Sequence, residues 1–236
     1  MLIISKKRIY FILVSFLVAI ASFIGTNQKE KSILTSSLPV TNKVIILDAG
    51  HGKPDEGAQS ANGITEEAIN LKIVKKVQAL LEQSGSTVIL TRSDENGIYD
   101  ADEKSLKNKK RSDIQNRVKI GNESAADIFV SVHLNKIPQA QYNGWQTFFQ
   151  EGSKLSQSLA KSIQSSLNES IQKENKRDSL KITGKYITDH VEIPTTIVEC
   201  GFLSNPEEEK LLQEEDYQSR LAWGIYTGIM DYFYEN

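Results

Sequence analysis

The chain has 236 residues and a single cysteine, Cys200, so no disulfide can close within it and a disulfide-stapled fold is excluded. It has no basic excess either: 28 Lys and Arg stand against 30 Asp and Glu, for a net charge of −2. That balance leaves no electrostatic footprint for nucleic acid, which is not expected as a partner. No internal repeat is present. Histidine is scarce, with 3 in the whole chain, and no two lie a few residues apart. What remains is an ordinary globular composition, 39% hydrophobic and 25% charged. A domain of roughly 200 residues buries about 70% of the surface its unfolded chain exposes, enough for a core without staples.

Charge is also absent from Ile9 to Gly25, an apolar run that follows Lys6, Lys7 and Arg8. A positive stretch followed by an apolar one is the pattern of an export signal. The run is at the short edge of bilayer-spanning length, where about 20 residues is typical. Ala19-Ile20-Ala21 offers a small-residue cleavage site. Residues 1–25 are therefore read as a signal peptide or membrane anchor, which makes a membrane a possible partner and places the chain outside the cytoplasm. Residues 26–43, polar with Ser36, Ser37 and Pro39, read as a linker, and 44–236 as the folded domain. Without the three leading cations the remainder carries 25 basic against 30 acidic groups and is acidic.

Within the domain, Val44–Leu47 is a strand-length apolar run stopped by Asp48-Ala49-Gly50-His51-Gly52. A helix capped by Thr65 follows, with Ile69, Ile73, Val77, Leu80 and Leu81 on one face, ended by Gly85. Thr87–Thr91 is the next strand, and Glu95–Lys110 is a charged, non-periodic insertion. Its cluster Lys107, Lys109, Lys110, Arg111 reads as a solvated loop. Ser112 with Gln115 forms a capping box for a helix using Ile114, Val118 and Ile120. Ile128–Val132, Gly144–Gln150 and Thr195–Val198 read as strands. Leu155, Leu159, Ile163, Leu167 and Ile171 recur every fourth residue as a helix, and a final helix spans about Tyr217 to Tyr234. Alternating strands and helices predict an α/β fold: a single domain with a largely parallel twisted sheet flanked by helices, preceded by the N-terminal hydrophobic segment.

In a parallel sheet the C-terminal strand ends share one edge, where ligands bind. His51, His133 and Glu199 each fall at such an end, so residues far apart in sequence are expected to meet. Two histidines and one carboxylate are a common zinc set, with a fourth position left for water. The metal brings the pKa of water toward about 7 and polarises a scissile carbonyl. A further carboxylate can then move the proton. Glu66 and Glu67 are candidates for the third ligand. Glu66 sits in the first turn of the Thr65-capped helix, reached across a glycine-rich loop, whereas Glu67 points about 100° away and reads as a solvated charge. Asp48 reads as a partner to a histidine ligand or as a strand-end turn former. His190, in a polar loop, reads as surface.

Several stretches together resemble the zinc-dependent N-acetylmuramoyl-L-alanine amidases. They are Ile45–Gly52, Asn62-Gly63-Ile64-Thr65-Glu66 with Asn70-Leu71, Leu90-Thr91-Arg92, Arg117, Ala126–Asn135, and Pro194 with Val198–Asn205. The resemblance spans about Val44 to Tyr234 in family order. It implies that His51, Glu66 and His133 hold one Zn2+ and that Glu199 is the catalytic glutamate. The implied substrate is the peptidoglycan glycan strand with its stem peptides, cut between the lactyl group of N-acetylmuramic acid and L-alanine. The insertion after Arg92, with Asp94, Gly97-Ile98-Tyr99, Lys109-Lys110-Arg111 and Asp113, resembles the germination-specific amidases of spore-forming bacteria. That subtype implies a role in spore cortex maturation through muramic δ-lactam, in the forespore or spore envelope. Ala49 departs from the proline usual before Gly-His, as do Lys53-Pro54 and Cys200 from their family counterparts. Ala49 motivates a helper protein that stabilises the metal site.

Two other readings differ in their requirements. A metal-dependent polysaccharide deacetylase also uses two histidines and an acid, but with a closely spaced histidine pair that this chain lacks. A catalytically silent wall-binding module is expected to have lost one of the four residues, and all four are present.

Overall fold

A computed structural model describes residues 37–236 together with Tyr10, Ser15 and Phe16. The expected signal or anchor and most of the expected linker lie outside the described residues. Among the described residues, no helix is long and apolar enough to cross a membrane. The compact unit runs Leu38–Asn236. Leu38–Lys43, assigned to the linker for its polarity, therefore packs with the domain. Val40 is fully buried, and the Thr41 hydroxyl donates to the Ser84 carbonyl at 3.2 Å.

The sheet has six strands: β1 Val44–Ala49, β2 Thr87–Leu90, β3 Ile128–Asn135, β4 Gln146–Gln150, β5 Leu180–Ile182 and β6 Thr195–Phe202. Their spatial order is β2-β1-β3-β6-β4-β5. β2, β1, β3 and β6 are mutually parallel, β4 runs antiparallel to β6, and β5 is parallel to β4. The expectation of a largely parallel sheet is met where it matters, in the centre. Strands buried on both faces read as continuous apolar runs, which is why Ile45-Ile46-Leu47 and Ile128-Phe129-Val130 were legible as strands.

Among the described residues six helices cover the faces: α1 Glu66–Gln83, α2 Leu106–Glu123, α3 Lys154–Ile171, α4 Tyr186–His190, α5 Pro206–Gln213 and α6 Glu215–Glu235. α1, α3 and α6 pack Ile73, Val77, Ile163, Leu167, Ile225 and Ile229 against Ile45, Leu47, Val130 and Val198. On the other face, Val118 of α2 and Ile187 of α4 cover Ile46 and Phe129. The stripe of α3 is shorter than its spacing implies, since Leu155 is exposed.

Two boundaries differ from the sequence reading. α2 begins within the insertion, at Leu106, capped by Ser105, whose hydroxyl accepts from the Asn108 amide at 3.2 Å. Ser112 is instead buried inside the helix and accepts the Asp100 amide. The first turns of α2 are polar apart from the exposed Leu106, so hydrophobic period could not reveal them; good helix formers such as Leu106 and the lysines carry them. The strands also run past the expected ends, so that His133 lies within β3 and Glu199 within β6.

α3 and α6 meet backbone to backbone. A Cβ at Gly228 would lie 2.4 Å from the Ile163 Cα, and one at Gly224 2.9 Å from the Leu167 Cα. Replacing an interior helical glycine by alanine normally gains about 1 kcal/mol. Here the sign is expected to invert: Gly228→Ala should lose about 1–3 kcal/mol by overpacking, read as a lower urea midpoint at unchanged slope.

Candidate metal centre

The site grows from the turn after β1. Asp48, at the end of the strand, is fully buried and ionised: burial alone would raise its pKa, but the Arg117 guanidinium and the Ser131 and Thr91 hydroxyls bring it to about 2. Arg117 also donates to the carbonyls of Ala49 and His51, and its Nε to Asp113 Oδ2 at 2.7 Å. Arg92 grips the same turn from its other side, donating to the carbonyls of Ala49 at 2.8 Å, Gly50 at 3.1 Å and Glu67 at 2.8 Å. Two buried guanidiniums thus converge on the carbonyls of this turn. They hold His51 in a left-handed conformation, φ 63°, that a non-glycine residue seldom adopts.

From this turn His51 faces Glu66 and His133. His51 Nε2 is 3.3 Å from Glu66 Oε2, and His133 Nδ1 is 2.9 Å from Glu66 Oε1. The two rings cross edge to face with centroids 5.0 Å apart. One donor atom from each of the three residues lies within 4.8 Å of the other two, a group that can hold a metal ion. Zn–N and Zn–O bonds of about 2.1 Å in a tetrahedron place ligands roughly 3.4 Å apart, so the spacing suits that ion. Glu66 is further fixed by the amides of Ala58 at 2.8 Å and Leu134 at 3.0 Å.

Glycine makes the cradle possible. A Cβ at Gly50 would sit 2.3 Å from His133 Cε1, and one at Gly57, φ 69°, 2.6 Å from Glu66 Oε2. His51 Nδ1 meets Asp55 Oδ2 at 2.9 Å, which leaves Nε2 free toward Glu66. Asp55 in turn holds Lys110 Nζ at 2.7 Å. Burial would lower the His51 pKa, but Asp55 and Glu66 outweigh it and raise it to about 9. Glu66, despite a burial that favours its neutral form, is held well below the usual carboxylate range by the two histidines.

Residues 45–231 match the N-acetylmuramoyl-L-alanine amidase family. The chain belongs to that family. It is 36% identical over 199 residues to the germination-specific N-acetylmuramoyl-L-alanine amidase of Bacillus subtilis, covering 84% of this chain and 83% of that one. The CwlD amidase of Clostridioides difficile, solved in complex with the GerS lipoprotein, superposes with a TM-score of 0.81 at 42% identity, over 83% of this chain and 100% of that one. The catalytic domain of CwlV from Bacillus (Paenibacillus) polymyxa superposes at 0.69 with 30% identity, over 80% and 97%.

In this amidase Glu199 pairs in register with His133 across β3 and β6. It is half-buried, and its Oε2 is shut from solvent without a hydrogen-bond partner. Burial raises its pKa to about 6. Glu199 opens, with His51, Glu66 and His133, on a cleft of about 390 Å³ whose walls include Phe148, Ile182, Ile187 and Ile197.

Other expectations are corrected. Glu67 is no solvated charge: it is 3% exposed, enclosed where Arg92 ties the helix start to the β1 turn, with the Thr65 hydroxyl 3.2 Å from its Oε1. Asp48 hydrogen-bonds no histidine; it balances Arg117, whose other donors hold the turn after β1. The basic cluster is helical, with Lys110 on Asp55 and Lys109 over the Tyr99 ring. His190 is exposed as expected and stacks on Tyr186 at 4.0 Å.

Sequence reasoning missed Asp55, four residues beyond His51, although an acid at that spacing was the available signal. It also missed buried Glu209, which accepts from the Ser60 hydroxyl at 2.8 Å and from Asn62 at 3.0 Å and so ties the loop before Glu66 to α5. Gly50→Ala is expected to displace the His133 ring. Metal titration of that variant should show stoichiometric binding lost, while its far-ultraviolet circular dichroism matches the parent.

Proposed function

We propose that the amidase holds one zinc ion through His51, Glu66 and His133, and uses Glu199 to shuttle the proton as it cleaves the N-acetylmuramoyl-L-alanine bond of peptidoglycan during spore cortex maturation. The single observation that carries this is the convergence of three donors beside a carboxylate that lacks any partner. Bound there, the metal supplies Lewis acidity, polarising the scissile carbonyl and acidifying water. The chain's own residues do the rest. Asp55 fixes the His51 tautomer by accepting from Nδ1. Glu199, in its ionised form, accepts the proton of the attacking water and returns it to the leaving alanine amine. The apolar wall of Phe148 and Ile197 keeps bulk water from that exchange.

The spore assignment is supported by the germination-specific relative, and an extracytoplasmic place follows from a wall substrate. Conversion of the cleaved strand to muramic δ-lactam is the proposed onward fate. We further propose that a helper protein steadies the metal site. The departure at Ala49 motivates it, and the complex in which the Clostridioides difficile amidase was solved is in keeping with it.

Metal analysis and mass spectrometry of peptidoglycan digests test the reading together. The wild-type domain should carry one zinc and release stem peptides that begin with L-alanine. Glu199→Gln should keep the metal and lose turnover by about 10²–10⁴-fold, whereas His133→Ala should lose both. A wild type that neither binds zinc nor releases peptide sinks the proposal. The base must be ionised, so kcat/KM should climb as pH rises through about 6, and a bound dication moves that limb lower. Full zinc retention and full activity in the isolated domain would remove the need for the helper.

A further inference from the structure

The segment from the end of β5 into α4 was not foreseen from sequence, yet it supplies Ile182, Lys185, Tyr186 and Ile187 to the cleft. Lys185 is the exception in this set, an exposed cation on a wall that is otherwise apolar or aromatic. Six lysines elsewhere have acidic partners: Lys43, Lys53, Lys76, Lys110, Lys176 and Lys181. Lys136, the cleft's other lysine, donates to the Gln59 carbonyl at 2.5 Å. Among the described residues, Lys185 Nζ has neither a carboxylate partner nor a hydrogen bond. Its charge is nevertheless felt at Glu199.

The sheet register gives the distance scale. Glu199 faces Gln146, and Ile197 faces Phe148 two residues earlier along β6. Two strand residues span about 7 Å, so the cleft floor changes from acid to apolar over that length. A stem peptide bound with its scissile amide at Glu199 places the alanine methyl first. An iso-linked glutamate second carries its free α-carboxylate about 7 Å from the scissile nitrogen, two extended residues away. A lysine side chain on the wall can reach that group.

Resting on the amidase reading above, we propose that Lys185 is a specificity-determining residue that binds the free α-carboxylate of an acidic second residue in the stem peptide. The amidase thereby distinguishes an acidic stem from one amidated at that carboxyl. The ammonium at the cleft rim is the only new contact required.

Two substrates differing only at that carboxyl, free or amidated, test this with wild type, Lys185→Gln and Lys185→Glu. Wild type should favour the free acid by about fivefold in kcat/KM, mostly through KM, as an ion pair at a half-open rim allows. Lys185→Gln should bring the ratio to about 1, and Lys185→Glu should invert it. The preference should weaken as salt is raised. Binding of the two released stem peptides, followed by nuclear magnetic resonance titration, reads the same ratio without turnover. A wild type that cleaves neither substrate but still binds the acidic peptide more tightly overturns the amidase reading and leaves this one standing. Equal wild-type affinity for the two peptides, or a preference that survives Lys185→Gln, overturns the role of Lys185.

Discussion

Everything at the site depends on one ion pair out of water. Asp48 is fully buried and Arg117 is 2% exposed, and such charges remain inside only when fully partnered. Asp48 gains two hydroxyls besides its guanidinium, and Arg117 spends its other donors on Asp113 and two backbone carbonyls. With Arg92 alongside, the pair fixes the carbonyls of residues 49–51, and Asn70 adds a second donor to Gly50. His51 inherits its direction from that backbone. The geometry at the ring is thus set by charges that never touch it.

The sheet does the remaining positioning. β1, β3 and β6 lie side by side and parallel, so His51, His133 and Glu199 arrive at one edge although long chain segments separate them. Two carboxylates then meet opposite environments. Glu66 accepts from two amides and faces two imidazoles, and it stays ionised. Glu199 has an oxygen with no donor in reach and holds its proton to about pH 6. One carboxylate is suited to standing charge and the other to changing it.

Much of this was legible in the chain itself. Buried parallel strands announce themselves as unbroken apolar runs, and α1, α3 and α6 show the 3.6-residue period because each buries one face. The residues that frame the cleft were harder to read. α4 is five residues long and β5 three, too short for any period to emerge. The opening turns of α2 are polar but for the exposed Leu106. Glu67 looked solvated because its neighbour Arg92 is distant in sequence, and burial of that kind is decided by tertiary contacts. Asp48 and Arg117, 69 positions apart, carry no local sign of being partners.

The clasp of Glu209 on Ser60 and Asn62 has a consequence in time. A chain made from its N-terminus has His51, Glu66 and His133 in hand well before residue 209 exists. Until α5 arrives, the loop that delivers Glu66 has the holds of Lys136 on the Gln59 carbonyl and of the Leu134 amide on Glu66, but not the clasp at Ser60 and Asn62. The Ser60–Asn62 end of the loop is therefore fixed only when roughly the last eighth of the polypeptide is in place. Placement of that loop and completion of the fold are thus a single late event, and a prematurely terminated chain keeps the three donor residues without the clasp.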